Sequence, residues 1–370
     1  MTLTQKKVLI INTSGLGVGG ITAHMINYIR ALREEKYDLS FTIIVSQQRD
    51  EQVLRKLSSL GCNLVYLPDR KKELMKYILS LIKIMRTSDF DVLHVHGNSS
   101  TMGIELMIGK IYKIPVRVAH SHNSKCEHQA LHKFFYPLFR NSYTQAVACS
   151  KLAGDWIFGK NHFWVLENAI ELSKFKFDLN IRDKYRKKLD VSNDTLLIGH
   201  VGNFNEQKNQ EFLIKVFYDI QKKRKSKLVM IGEGPRLENI KEIVDELGIS
   251  DDVYFLGLRN DVNHWMQAMD VFVFPSKWEG FGMVLIEAQA SNLPIVASTE
   301  VPKVVKLTDK VCFVNLDDGI SGWTEKILDF DVSIDRNFEY DGRLTQYDLS
   351  NNVYKIIDMY DNCDIERCIR

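Results

Sequence analysis

The sequence predicts an α/β protein built from two Rossmann-like, doubly wound domains. Short β-branched apolar runs alternate with longer segments of helical period, and the runs are apolar on both faces, as strands covered by helices are. The alternation stops at a polar, basic stretch and then begins again. With 370 residues, 45% of them hydrophobic, the chain is long enough for two buried cores.

The first half of the chain shows a βαβα order. Its predicted strands follow one another at the spacing of crossover helices, which favours a parallel sheet with ligands at the carboxyl ends of the strands. The predicted strands are 7–12, 39–46, 63–67, 92–96, 116–120 and 145–149, and the first two predicted helices are 21–35 and 50–60.

The same order begins again after the polar stretch 172–194. We place the junction near 167–175, where no Pro-, Gly- or Ser-rich linker marks it. This gives an N-terminal domain of residues 1–172 and a C-terminal domain of 173–370, whose last helix, about 345–370, is free to pack back on the N-terminal domain. The predicted strands of this half are 196–201, 227–231, 253–256, 271–275 and 294–297.

Composition excludes several classes of protein. The 49 Lys and Arg nearly balance the 47 Asp and Glu, so no global field favours a nucleic acid partner. The first residues lack the pattern of a signal peptide, and no apolar run reaches the length of about 18 residues that a membrane span needs. We therefore expect a cytoplasmic protein with reduced thiols. The six cysteines, at 62, 126, 149, 312, 363 and 368, show no zinc spacing.

A glycine-rich loop, 14–20, separates the first strand from the first helix. Gly15, Gly17 and Gly20 match the dinucleotide spacing, but the second strand ends at 44–46 without the carboxylate that would hold a ribose. No Gly-Lys-Ser/Thr follows, so a phosphate loop is excluded as well. Two interpretations remain open: helix-start amides that contact an anion or sugar, and a plain tight turn.

The most informative stretch is 271–290. A strand ends at Pro275, a loop carries Glu279, and an apolar helix that begins near Gly282 carries Glu287. A strand end followed by a helix start is the usual ligand position of an open α/β sheet.

Unpaired amides of Gly282, Met283 and Val284 could bind a diphosphate with help from the helix dipole. Glu279 could accept hydrogen bonds from sugar hydroxyls, and Glu287 could hold a ribose. The alternative is two solvated glutamates, which suits Glu287 poorly because its helix is apolar almost all round.

Two His-x-His pairs follow or end strands of the first half. We expect His96, His120 and His122 to point from the carboxyl ends of the strands toward the cleft between the two predicted domains, and His94 to be structural. A metal site is not expected, because no carboxylate or cysteine completes a ligand set.

The segment 70–86 carries six basic residues and one acid, with apolar residues at helical spacing. Such a helix can lie on an anionic bilayer, or it can be an ordinary surface helix that packs on the sheet. Both interpretations stay open.

Taken together, these motifs resemble retaining glycosyltransferase family 4 of the GT-B fold, which includes bacterial capsule and exopolysaccharide transferases. The resemblance covers nearly the whole chain and is carried by Glu-x7-Glu at 279–287 after Phe-Pro-Ser at 274–276, by Gly19-Gly20, by Gly-x-Gly at 232–234, and by 255–262. It implies two facing Rossmann-like domains with an interdomain cleft. The second domain would bind a nucleotide sugar and the first the acceptor.

The resemblance also implies roles. Glu279 would contact the donor sugar, Glu287 the ribose and Lys208 the diphosphate, where an ammonium stabilises growing negative charge. Asn203 stands where the family usually has a second cation, an arginine. The implied catalytic residues are Glu279, Lys208, His122 and His120, either histidine being the one near the sugar, and the implied donor-binding residues are Gly19, Gly20, Asn203, Gly232, Gly234, Arg259, Gly280, Phe281, Gly282, Met283, Val284 and Glu287.

The expected function is therefore glycosyl transfer with retention, from an NDP-sugar, most commonly a UDP-sugar, to a glycan or polyprenyl-diphosphate-linked acceptor in surface polysaccharide synthesis. The transferred group would be a hexose or N-acetylhexosamine, and neither a cofactor nor a metal is expected. The protein would be cytoplasmic, in peripheral contact with the inner face of the plasma membrane through 70–86. Two alternatives are a non-catalytic partner subunit, suggested by Asn203, and a sugar-nucleotide epimerase, which Glu-x7-Glu disfavours.

Overall fold

The computed structural model describes residues 5–17, 19–47, 49–123, 126, 128–330, 336 and 338–361. The chain divides into two compact units. The first, unit 1, comprises Met1–Ile170 and Gln346–Arg370, and the second, unit 2, comprises Glu171–Thr345. Cys363 and Cys368 and the end of the predicted last helix lie outside the described residues.

Unit 1 is built on a seven-stranded sheet in which every strand pair is parallel, with the order β3-β2-β1-β4-β5-β6-β7. Its strands are β1 (Lys6–Asn12), β2 (Leu39–Val45), β3 (Asn63–Tyr66), β4 (Val92–Gly97), β5 (Val116–Ser121), β6 (Gln145–Ala148) and β7 (Trp164–Val165). Its helices are α1 (Gly20–Glu34), α2 (Glu51–Ser59), α3 (Leu74–Thr87), α4 (Gly103–Ile111), α5 (Gln129–Arg140), α6 (Lys151–Phe158) and, near the end of the chain, α14 (Leu349–Asp361).

Unit 2 holds a six-stranded parallel sheet with the order β10-β9-β8-β11-β12-β13. Its strands are β8 (Leu196–Val201), β9 (Ser226–Ile231), β10 (Val253–Phe255), β11 (Val271–Phe274), β12 (Ile295–Ser298) and β13 (Val311–Val314). Its helices are α7 (Leu179–Lys187), α8 (Gln210–Gln221), α9 (Leu237–Glu246), α10 (Val262–Ala268), α11 (Met283–Ala290), α12 (Gly319–Leu328) and α13 (Gly342–Thr345).

Both sheets confirm the predicted α/β class and its doubly wound topology. In each sheet the strand order reverses once, between β1 and β4 in unit 1 and between β8 and β11 in unit 2. Loops that leave the carboxyl ends of two such strands diverge and leave a crevice, which is where open α/β sheets bind ligands.

The core of unit 1 has a helical layer on each face of the sheet. One layer contains α1, α2 and α14, with Met25 and Ile29 of α1 in the same cluster as Val353 and Ile356 of α14. The other contains α3 to α6, represented by Leu81, Leu106, Phe139 and Ile157. The last described helix therefore completes a layer of the unit in which the chain begins.

A buried ion cluster ties the two switch-point strands of unit 2 together at their starts. Asp270, just before β11, accepts hydrogen bonds from Arg182 and Arg186 of α7 and, at 2.7 Å, from the backbone amide of Leu197 in β8. Buried carboxylates need such partners, and these fix the relative height of β8 and β11. The alignment of β8 and β11 in turn fixes the relative positions of the loops that follow them, 202–209 and 275–282.

No helix among the described residues combines the length and apolar character needed to cross a membrane.

Candidate active site

Two loops meet at the switch point of unit 2. Loop 202–209 joins β8 to α8, and loop 275–282 joins β11 to α11. Three hydrogen bonds hold the loops side by side, so each fixes the conformation of the other. They run from Asn209 Nδ2 to the Pro275 carbonyl (3.1 Å), from the Lys277 amide to the Gln207 carbonyl (2.8 Å) and from Gln207 Nε2 to the Trp278 carbonyl (2.9 Å).

The structure brings Lys208 and Glu279, one from each loop, into an ion pair. Lys208 Nζ lies 2.5 Å from Glu279 Oε1, and the two side chains are only 16% and 6% exposed. The same ammonium lies 4.4 Å from the centroid of the Phe274 ring, which adds a cation–π attraction. A cation with limited access to water is thus held at the crevice, where its interaction with an anionic ligand would be weakly screened.

The start of α11 offers free donors beside this pair. The amides of Met283 and Val284 make no hydrogen bond to any part of the chain that the structure describes, and Gly282, the N-cap residue, has no capping side chain. Gly282 adopts φ 88°, a left-handed conformation that favours glycine. These amides, with the positive end of the helix dipole, could receive an anion.

Glu287 lies one turn into α11 and is half-buried. Five of the eight residues of this helix are buried, so the carboxylate projects from an otherwise apolar element. Its oxygens have no hydrogen bond or ion pair within the described chain, and burial raises the pKa of Glu287 to about 7. An unpartnered carboxylate in this position is prepared to accept hydrogen bonds from ligand hydroxyls.

Loop 202–209 rests on the turn after β9. A Cβ atom at Gly232 would lie 2.2 Å from the Gly202 carbonyl oxygen, and one at Gly234 would lie 2.4 Å from that of Phe204. The Gly-x-Gly motif therefore has a packing role, since it lets two backbones approach and fixes the loop that carries Lys208.

The remaining residues predicted in unit 2 differ in their surroundings. Asn203 is exposed, and its carbonyl accepts a hydrogen bond from Gln210 Nε2 at 2.9 Å. Gly280 is exposed with open space around it, whereas Phe281 is half-buried. Arg259 follows the edge strand β10, two strands away from β8, and its guanidinium binds Asp261 at 2.8 and 2.9 Å. Among the contacts of the described residues, none joins Arg259 to the Lys208–Glu279 pair.

Unit 1 gathers the four predicted histidines at the carboxyl ends of β4 and β5. His94 Nε2 lies 3.1 Å from His120 Nδ1, and His96 Nδ1 lies 2.9 Å from His122 Nε2. His24 of α1, which no sequence motif connects with these pairs, lies edge-on against His120, with ring centroids 4.9 Å apart. We call these five residues the histidine cluster.

Burial keeps the histidine cluster neutral. It lowers the pKa of His24 and of His94 to about 3, and it lowers the pKa of His96, His120 and His122 well below the usual value, with neighbouring imidazoles adding to the effect. His94 Nδ1 is 2.8 Å from the hydroxyl of Tyr360 in α14, so its interpretation as a structural residue fits this contact.

The geometry separates the two candidate sugar-binding histidines. His120 is fully buried, whereas His122 is partly exposed and its amide donates to the Gly97 carbonyl at 3.3 Å. Of the two side chains, that of His122 is the one that a ligand could reach.

Three residues of the cluster, His94, His96 and His120, each offer a ring nitrogen within 4.8 Å of the others. Three imidazole nitrogens at this spacing could hold a metal ion, whereas the sequence led us to expect no metal site, so that expectation stays a prediction.

The Gly19-Gly20 pair stands at the start of α1. Both residues are exposed, neither would bring a Cβ within 4 Å of another atom, and Gly19 caps the helix without a side-chain hydrogen bond. Gly15 adopts φ 92°, so the tight turn is present. The open helix start leaves room for a ligand, and both earlier interpretations of this loop fit the structure.

Segment 70–86 corrects one expectation. The helix begins only at Leu74, and Arg70 is not a surface residue, because its guanidinium forms a bidentate pair with the buried Glu105 at 2.6 and 3.2 Å. Arg70 therefore anchors the turn before α3 to α4.

Comparison with known proteins gives matches along most of the chain. Residues 18–173 match the family model described as Glycosyltransferase Family 4, and residues 181–309 match the model described as Glycosyl transferases group 1. The chain is 31% identical over 348 residues to the putative glycosyltransferase EpsF of Bacillus subtilis (strain 168). The aligned region covers 88% of this chain and 88% of EpsF.

Two further proteins are similar. An Escherichia coli UDP-Gal:alpha-D-GlcNAc-diphosphoundecaprenol alpha-1,3-galactosyltransferase is 26% identical over 239 residues, 60% of this chain and 62% of that protein. The crystal structure of Anabaena HepE in complex with UDP and glucose has a TM-score of 0.67, with 17% identity over 96% of this chain and 97% of that one. At this identity the likeness concerns the fold.

Proposed function

Because this chain belongs to glycosyltransferase family 4, we propose that it transfers a sugar from a UDP-sugar, with retention of configuration, to a growing surface glycan. The family and the fold make it a glycosyltransferase of the GT-B type. The same membership argues against a sugar-nucleotide epimerase. The donor, the stereochemistry and the acceptor are the proposed part.

The observation that carries the proposal is the juxtaposition of Lys208, Glu279 and the open start of α11. A nucleotide sugar needs a cation and amide donors for its diphosphate and acceptors for its hydroxyls, and this crevice offers all three. In the proposed binding mode the diphosphate lies between Lys208 and the amides of Met283 and Val284, and Glu279 turns to the sugar hydroxyls.

Glu287 is proposed to bind the ribose. Its free carboxylate lies one turn beyond the amides, the direction in which the nucleoside would extend from the diphosphate. Gly280 leaves space beside Glu279 for the sugar, while Gly232 and Gly234 act by shaping loop 202–209.

Lys208 is proposed to be the main electrostatic catalyst. As the bond between the anomeric carbon and the diphosphate breaks, negative charge grows on the departing oxygen, and a positioned ammonium stabilises that charge. The acceptor oxygen would form its bond to the same face of the anomeric carbon, with its proton passing to the departing phosphate oxygen. Asn203 supplies no charge at the position of the family arginine, so Lys208 carries more of this role.

In unit 1 we propose that His122 contacts the donor sugar and that His120 supports it from within the cluster. The neutral state of His122 suits a hydrogen bond to a hydroxyl. The open helix start at Gly19-Gly20 is proposed to face an anionic or sugar ligand. We also propose that transfer requires neither a metal nor a cofactor.

The relatives support the choice of substrates. HepE was crystallised with UDP and glucose, and the name of the Escherichia coli relative specifies a UDP-sugar donor and a lipid-diphosphate-linked acceptor. We propose a UDP-hexose or UDP-N-acetylhexosamine as donor, and a glycan on a polyprenyl diphosphate as acceptor.

The test is a transfer assay with a panel of UDP-, GDP- and ADP-sugars, with EDTA present, read by release of nucleoside diphosphate and by the anomeric proton coupling of the product. We expect activity with a UDP-sugar and a product with the donor's anomeric configuration. If no donor binds by thermal shift and Glu279→Ala changes nothing, the chain is a non-catalytic partner subunit.

A further inference from the structure

An exposed surface of unit 1 is apolar and basic together. It is formed by α3, α4 and α5, where α4 packs against both neighbours. We call it the α3–α5 face. Its exposed large hydrophobic side chains are Leu74 (37%), Met75 (68%), Leu79 (62%), Ile111 (64%), Leu131 (49%) and Phe134 (77%).

Helix α5 has two apolar faces, of which only one is used by the fold. His132 and Phe139 lie on the inner side, where they stack on Trp156 and Phe158 respectively. The outer side carries a second stripe at i, i+3, i+4 and i+7, and only Phe139 of the twelve residues is buried. The outer stripe consists of Leu131, Phe134, Phe135 and Leu138.

The outer stripe also borders a shallow apolar groove. The groove lies on α5 beside Met107 of α4. Its lining residues are Met107, Phe134, Phe135, Pro137, Leu138 and Asn141. Folding alone gives no reason to leave this much aromatic and aliphatic surface in contact with water.

Positive charge surrounds the apolar side chains. Residues 71–86 expose five basic side chains, Lys71, Lys72, Lys76, Lys83 and Arg86, against the single acid Glu73. On α3 the helical spacing places Lys76 and Lys83 on the same stripe as the exposed Leu79, and Lys72 lies in the turn just before the helix. Lys133 and Arg140 add charge on α5.

We propose that the α3–α5 face docks on an anionic lipid bilayer. Phe134 and Leu131 would enter the boundary between headgroups and acyl chains, and the lysines of α3 would meet the lipid phosphates. Apolar insertion with a basic surround fits a bilayer better than a protein partner, because a bilayer supplies both chemistries without a matched shape. The inference rests on the proposed function, since a polyprenyl-linked acceptor is presented at a membrane.

The experiment is flotation of the full chain with vesicles of phosphatidylcholine alone and of phosphatidylcholine with 30% phosphatidylglycerol. We expect binding to the anionic vesicles and little to the neutral ones. Phe134→Ser should weaken the partition about tenfold, and the double variant Lys72→Gln/Lys83→Gln should weaken it about fivefold for each lysine and reduce its salt dependence. Val304→Ser, a change at a 62%-exposed apolar residue of unit 2, is the matched control and should bind as wild type does.

Two results would overturn the inference. One is wild-type protein that stays at the bottom of the gradient with both vesicle types. The other is a dimer whose dissociation by Phe134→Ser, seen in light scattering, shows that a second copy covers the face. Sugar transfer to a water-soluble acceptor analogue, measured without vesicles, distinguishes these outcomes from failure of the proposed function, because the variants lie outside the Lys208–Glu279 site.

Discussion

Lys208 Nζ and Glu279 Oε1 lie 2.5 Å apart, although the two residues are separated by 71 positions in the sequence. Each comes from a loop that follows one of the two switch-point strands, and the shared hydrogen bonds between the loops keep them together. The ion pair keeps the Lys208 ammonium beside the start of α11 and mostly shielded from water. In the proposed binding mode, a diphosphate would replace Glu279 as the partner of the ammonium and release the carboxylate to the sugar.

Lys208→Ala is expected to lower kcat by a factor on the order of 10² to 10³, because it removes the positioned charge that stabilises the leaving group. Steady-state rates with the best UDP-sugar measure this. Lys277→Ala is the matched control, since Lys277 lies in the neighbouring loop and pairs with the exposed Glu206. A Lys208→Ala enzyme within threefold of wild type would contradict the assignment.

Glu287→Gln is expected to weaken donor binding and at the same time stabilise the ligand-free protein at pH 8. The folded-state pKa of about 7 exceeds the usual carboxyl value of 4.5, so the charged form carries a free-energy penalty that grows as pH rises from 4.5 through 7. Removing the charge should therefore add about 1 kcal/mol to the free energy of unfolding, a figure reduced from the full pKa shift because Glu287 is only half-buried. Wild-type donor affinity should rise with pH through about 7, and that of the variant should not.

The measurements are urea unfolding at pH 6 and pH 8, and calorimetric titration of UDP across the same range. Equal stability of the two proteins at pH 8, or the same pH profile for UDP binding, would show that Glu287 is solvated.

The histidine cluster predicts acid sensitivity. Because burial lowers the pKa values, the unfolded chain binds more protons than the folded one below about pH 6.5, so stability is present above that pH and is lost as pH falls. Each histidine contributes a slope of about 1.4 kcal/mol per pH unit. Five such groups outweigh the opposite effect of Glu287. Chemical unfolding at pH 7.5, 6.5 and 5.5 should show a steep decline, and His24→Gln should reduce the slope by about one proton.

Tyr360→Phe is expected to cost about 1–3 kcal/mol of unfolding free energy, because it leaves His94 Nδ1 buried without its partner. Tyr354→Phe on the same helix is the control. Its hydroxyl binds Glu35 at an exposed position, so the change should cost no more than about 0.5 kcal/mol. Equal losses of unfolding free energy in the two variants would mean that the Tyr360–His94 hydrogen bond does not stabilise the fold more than an exposed one does.

Gly280→Ala and Gly282→Ala test two different roles of glycine, namely space for the donor sugar at Gly280 and a left-handed backbone conformation at Gly282. Gly282 has φ 88°, so alanine there should destabilise the fold by about 1–2 kcal/mol. Gly280 has open space and no positive φ, so alanine should leave the melting temperature unchanged and raise KM for the donor. An unchanged KM for Gly280→Ala would place the sugar elsewhere.

The strands were predicted well because a parallel strand that is covered by helices on both faces has a continuous run of β-branched and other apolar residues in its sequence. Each predicted strand is present, and no strand end shifts by more than one residue. The two missed strands have simple reasons. Trp164–Val165 is only two residues long, and Val311–Val314 has partly exposed residues at its centre.

Side-chain partnerships were harder to predict than strands. Nothing in the spacing of α1 indicates that His24 joins the two His-x-His pairs, because the crossing of a helix over a sheet is a tertiary property. Likewise, the sequence predicts Arg70 to be a surface residue of a basic helix. In the structure, Arg70 is mostly buried because it pairs with Glu105, which is 35 residues away in the sequence. The roles of Glu279, Glu287 and Lys208 in donor binding stay predictions, although the first and third residues are in contact.

The return of α14 to unit 1 has a consequence for synthesis of the protein. On the ribosome, residues 171–345 emerge as a continuous block and can fold while translation continues, since their contacts are internal. The sheet that emerges first lacks the helix that covers α1 and supplies Tyr360 until residues 349–361 have been synthesised. Nascent chains arrested near codon 345 should therefore present a compact, protease-resistant second half and a first half that chaperones still recognise.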